Sequence, residues 1–123
     1  MGNGAEPKAL DPHLVQSVGD SNIMRSLFEG LVTNHPSSDS EHEPGVALKW
    51  EPNEDFSEWV FHLRKNAKWS NGDPVTAHDF VYSYNRILEP KMAAPYASML
   101  YFLKNGRAFN EGKITDFEEV GVK

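Results

Sequence analysis

"WVFHLRKNAKWSNGDPVTAHDFVYSYNRIL", residues 59–88, carries a strand, a turn and a helix in succession. Trp59, Phe61 and Leu63 alternate with Val60, His62 and Arg64, a period of two that predicts a β-strand over 58–64. Asn71-Gly72 is a strong turn dipeptide. Thr76 then stands three residues before Asp79, as an N-cap stands before a capping acid. Phe80, Val81, Tyr84, Ile87 and Leu88 form one apolar stripe at helical spacing, and Pro90 ends it.

Working outward, Val46 to Trp50 reads as a second strand, joined to the first through "EPNEDFS" as an antiparallel hairpin. Residues 34–45, "NHPSSDSEHEPG", hold no large apolar side chain and read as a solvated loop or hairpin tip; Leu31-Val32-Thr33 before them can form a short strand. Asp20-Ser21-Asn22 offers capping side chains for a helix whose buried face would be Ile23, Leu27, Phe28 and Leu31, ending near Gly30. Pro95 opens a shorter helix through Tyr96, Met99, Leu100 and Leu103. The tail from Asn105 to Lys123 is weakly periodic, with a strand beginning at "EEVGVK". Residues 1–20 read as extended chain and turns. The fold class is therefore α/β in the mixed α+β sense, a β-hairpin with several helices.

Composition narrows the function. The chain has 123 residues, which fits one domain at most. Its net charge of −6 opposes binding to nucleic-acid phosphates, and the cations nearest one another, Arg64, Lys65 and Lys68, are flanked by Glu58 and Asp73. No cysteine is present, so thiolate metal sites and thiol nucleophiles are excluded. A mean hydropathy of −0.56 is polar for a chain that must build its own core. No apolar run approaches a membrane span, and no charged head followed by an apolar stretch opens the chain.

No catalytic constellation emerges. His78 and Asp79 are neighbours, which on a helix point about 100° apart and do not converge on one proton. His35, Asp39, Glu41, His42 and Glu43 match no common zinc spacing and read as a solvated loop. Ser21, Ser26, Ser37, Ser57 and Ser83 all lack a nucleophile elbow, and Gly2-Asn3-Gly4 follows no strand that would make it a phosphate loop. Trp50, Trp59 and Trp69 are expected to pack rather than to stack on a ligand. The expectation is a non-enzyme with no metal and no cofactor.

The opening stretch closely resembles the signature region of the bacterial extracellular solute-binding proteins of family 5. "LDPH", "SNIMRSLFEGL", "PGVALKW" and "PYASMLYFL" stand in the matching order, and "NGAEPKALDPH" with "PYAS" points to the oligopeptide-binding subgroup. The resemblance implies a periplasmic-binding-protein-like (type II) fold, in which two lobes joined by a hinge enclose the solute. Residues 1–123 resemble only the early part of the first lobe and would then be an incomplete N-terminal lobe with the second lobe absent; Met1-Gly2 also stands where the family's first strand would precede "NGAEP". The family reading makes "KWSNGDPVTAHDF" a scaffold joint in which Trp69 packs the turn.

The resemblance further implies peptide contacts in "HLVQSVGDSN", where an extended segment pairs with the peptide main chain as an added strand. By position these contacts fall to Gln16, Ser17 and Val18, with Tyr96 lining the wall. An acid at the position of Gln16 would hold a cationic group, and Gln16 is neutral; the main anchor for a peptide amino terminus is an acid beyond this stretch. The implied function is delivery of an oligopeptide to the membrane permease of an ABC importer, with the protein periplasmic or lipid-anchored at the cell surface. Two alternatives stay open. One is a relative tuned to a dipeptide, a signalling or cell-wall peptide, or a haem or nickel complex. The other is a self-associating homo-oligomer of the fragment, through uncovered apolar surface and open strand edges.

Overall fold

The computed structural model describes residues 6–123, and Gly2-Asn3-Gly4 lies outside them. They divide into two compact units, Leu27–Thr76 and a second made of the residues up to Ser26 with Ala77–Lys123. The mixture of helix and strand is the one expected, but several boundaries differ, each for a local physical reason.

Helix α1 spans Val18–Leu27, all but its last residue in the discontinuous unit, which also holds α2 (Ala77–Leu88) and α3 (Gly106–Asn110). Helix α2 begins directly after Thr76 and stops before Pro90, as its sequence signals require. Helix α1 starts ahead of the anticipated cap. Ser17 Oγ accepts from the Asp20 backbone N–H (3.1 Å), and the Asp20 carboxylate accepts from Ser17 N–H (3.4 Å). This reciprocal pair is a capping box, which makes Asp20 the third helical residue and not the cap. The helix phase moves with it: Met24 is buried, whereas Leu27 is 66% exposed and Phe28 also faces outward.

The helix expected from Pro95 is only a 3-10 turn, Ala97–Leu100, and Asn105 with φ 61° breaks the backbone before α3 begins. Another 3-10 turn, Phe117–Glu119, replaces the strand expected at the tail. Leu88, Phe109 and Val120 form the core, ringed by Ile87, Leu100, Tyr101, Leu103, Ile114, Phe117 and Val122. Phe109 meets Phe117 edge-on at 5.2 Å. Asn110 locks the packing by donating to Leu88 C=O (2.9 Å) while its Oδ1 accepts from Tyr101 (2.7 Å).

The unit Leu27–Thr76 holds two antiparallel hairpins, β1 (Val32–His35) with β2 (Ser38–Pro44) and β3 (Ala47–Pro52) with β4 (Trp59–Leu63). The register of β3 and β4 pairs Trp50 with Phe61 and Pro52 with Trp59. Gly30 ends no helix here. Its carbonyl accepts from Val46 N–H (2.9 Å), and a Cβ on Gly45 would press against that same oxygen. Arg64 clamps the region with a bidentate pair to Glu29 (2.9 and 2.6 Å).

At the turn, Gly72 takes φ 95° and Trp69 exchanges backbone bonds with Gly72 and Asp73. The Trp69 side chain is 44% exposed, so the turn closes through main chain rather than by indole packing. Trp59, paired with Pro52 at the end of the two-stranded sheet, is likewise 47% exposed.

Candidate binding groove

Gln16, Ser17, Val18 and Tyr96 all line one open groove of about 420 Å³, together with Pro12, Val15, Ser21 and Met24. Residues 80 apart in sequence are brought together because the end of the loop 11–16, the start of α1 and the turn before Ala97 converge. Tyr96 Oη donates to Gln16 C=O at 3.4 Å, which ties the two walls.

The backbone in this groove differs from a simple added-strand edge. Val18 is the first residue of α1 and Ser17 its cap, so the extended path ends at Gln16. The cause is Asp20. Its side chain is almost fully buried, and it accepts from the backbone N–H groups of Lys8 (3.3 Å) and Ser17 (3.4 Å). The Ser17 hydroxyl, with backbone N–H groups of Ser17, Lys8 and Gln16, holds the Asp20 pKa below the usual carboxylate value despite the burial that opposes it. Ser17 C=O is already committed to Ser21 N–H at 2.9 Å. Val18 opens the helix, where backbone N–H groups have no partner within the helix, and its side chain is 79% exposed. The extended path open to strand-like pairing therefore stops at Gln16, whose carbonyl already accepts from Tyr96 Oη.

Among the described residues the lining carries no charged side chain. Charge gathers instead behind the loop, where sequence reasoning placed no role. Asp11 forms a bidentate pair with Arg86 (2.9 and 2.6 Å), and this guanidinium holds the Asp11 carboxyl down at about 2. The signal that could have found this pair was Asp11 next to Pro12 at a loop start, facing an arginine on the polar side of α2. His78 and Asp79 sit in the first turn of α2, away from the groove lining. Among the described residues no group of three His, Asp or Glu side chains is arranged to hold a metal ion.

Comparison with known proteins gives this geometry its context. The model of a family described as "Bacterial extracellular solute-binding proteins, family 5 Middle" matches residues 41–122. The chain is 51% identical over 115 residues to the periplasmic oligopeptide-binding protein OppA of Haemophilus influenzae, covering 92% of this chain and 21% of that protein. It is 57% identical over 104 residues to OppA of Salmonella typhimurium, covering 81% of this chain and 18% of the relative. The crystal structure of Haemophilus influenzae OppA in complex with the peptide RPPGFSPFR superposes with a TM-score of 0.90 at 49% identity, over 98% of this chain and 23% of that one. The chain spans about a fifth of the length of the curated relatives it matches.

Proposed function

The chain belongs to the bacterial extracellular solute-binding proteins of family 5, and on that premise we propose that it supplies one wall of an oligopeptide-binding cleft. In this reading residues 1–123 are part of the first of two lobes. The assembled protein works in the periplasm, or lipid-anchored at the cell surface, and hands peptides to the permease of an ABC importer. The observation that carries the reading is the convergence of Gln16, Ser17, Val18 and Tyr96 on one uncharged groove. Main-chain groups there recognise any peptide backbone, and neutral walls accept varied side chains.

One wall of a cleft buries too little of a peptide to overcome the cost of association, so the chain alone should bind at millimolar strength or more weakly. Amide shifts on adding a tripeptide should then fall at Val15 to Val18 and Tyr96, with none in α3. Shifts confined to other residues would reject the site, and micromolar saturation in calorimetry would reject the partial-cleft reading. A second reading, self-association, is favoured by the β3–β4 hairpin. Trp59, Val60 and Phe61 are successive residues pointing to both faces, and all three are exposed. Sedimentation velocity decides it: a single monomeric boundary at high concentration would count against this reading.

A further inference from the structure

The loop that gives Pro12, Val15 and Gln16 to the groove is fastened to α2 by side chains outside the lining. Beyond its pair with Asp11, Arg86 donates from Nη1 to His13 Nδ1 at 2.8 Å. His13 Nε2 lies 3.0 Å from Ser83 Oγ, one turn earlier on α2. The His13 backbone N–H donates to Asp11 Oδ1 at 3.0 Å, which closes the set.

These contacts assign the imidazole's state. A guanidinium has donors only, so Nδ1 must accept and the single ring proton must sit on Nε2, donating to the Ser83 hydroxyl. His13 is therefore neutral in this arrangement. A second proton would place N–H against N–H at Nδ1 and set two cations within bonding distance. The charged groups facing His13 are Asp11 on its own loop and Arg86 on α2, with Tyr82 of α2 within electrostatic reach of Arg86. Burial, reinforced by Arg86, lowers the His13 pKa, and the attraction of Asp11 does not reverse it.

We infer that His13 is a positioning residue for the groove: neutral, it clips the loop 11–16 to α2, and protonated, it releases the clip and displaces the Pro12, Val15 and Gln16 wall. Any effect on a bound peptide rests on the function proposed above; the loop response does not. Because the folded state disfavours the proton, the clip is intact above the ordinary histidine value of 6.5 and weakens as pH falls through the lower folded value.

Nuclear magnetic resonance of the labelled chain between about pH 8 and about pH 5 tests this. The His13 ring should show the Nε2–H tautomer and titrate below 6.5, with the Val15 and Gln16 amides following the same midpoint and α3 amides flat. His13→Asn keeps an acceptor for Arg86 without a titrating group, and the Val15 and Gln16 response should vanish. Should that variant not fold, Ser83→Ala leaves His13 titrating, and Val15 and Gln16 must still track its midpoint wherever it moves. An Nδ1–H tautomer, a midpoint at or above 6.5, or Val15 and Gln16 flat across the His13 transition would overturn the inference. With a tripeptide present, wild type should lose its Val18 and Tyr96 shifts in acid and His13→Asn should retain them. Absence of peptide shifts at every pH sinks the peptide reading alone, since the clip is judged by the amide titration.

Discussion

The two units of this chain solve the burial problem differently. The unit containing α2 and α3 closes a core on Leu88, Phe109 and Val120, with Leu88 fully buried. In the unit Leu27–Thr76 the buried apolar residues are Val46, Ala47 and Ala67, all small or medium in volume, while Leu48, Phe56, Trp59, Val60 and Phe61 face outward. Both units have well-formed hydrogen bonding. The difference teaches that alternation in a strand fixes who pairs with whom, whereas burial needs a second layer, which helices of one unit provide for each other and two-stranded hairpins do not.

The comparison can be broken most directly at Leu88. Leu88→Ala should cost about 2–5 kcal/mol by leaving a cavity among Phe109 and Val120, read as a lower denaturant midpoint. A loss well under that range would mean the cluster is not a packed core. Next comes Gly45→Ala, whose Cβ would be driven against backbone oxygens of Gly30 and Leu31; about 1–3 kcal/mol should be lost. Hydrogen exchange should then quicken at the β3 and β4 amides and not in α2. Equal acceleration in α2 would make the two units one cooperative body and end the contrast.

Asp11→Asn should have a smaller effect, at most about 1 kcal/mol near neutrality, because the pair with Arg86 is partly solvated. The sign with pH is definite. Asp11 has its pKa lowered from 3.8 to about 2, so wild type gains from the pair above 3.8 and loses it as pH falls through about 2. The variant should lack that acid step in a melting-temperature series, and a retained step would assign it to another carboxylate. Smallest is Trp59→Thr, where a side chain already 47% exposed gives a stability change within about 0.5 kcal/mol. If the hairpin face mediates association, this variant should nevertheless sediment more slowly than wild type.

The stretch from Trp59 to Leu88 was legible because its signals are local: alternation, Asn71-Gly72, Thr76 and Pro90 each act within a few residues. Strand β2 escaped notice because Ser38–Pro44 has no apolar alternation; it is held by backbone pairing to β1 with both termini anchored. The start of α1 was misjudged because Asp20 qualifies equally as a cap or as the acid of a capping box. Only the burial of its carboxylate against Lys8, 12 residues away, separates the two. Val120 in the core was invisible for a similar reason, since its partners Leu88 and Phe109 are distant or lie in a weakly periodic tail. The four groove residues were reached through family resemblance, not through any property of the isolated letters. Their convergence depends on long-range contacts such as that of Tyr96 with Gln16.

The buried Asp20 carboxylate grips the main chain at Lys8 and Ser17. Those bonds run to main chain and do not depend on which side chains are displayed at Val15 and Gln16. Replacing those two can redecorate the surface a guest molecule meets while the underlying trace keeps its path. A lineage could in this way revise its preferences one residue at a time without first rebuilding the framework beneath.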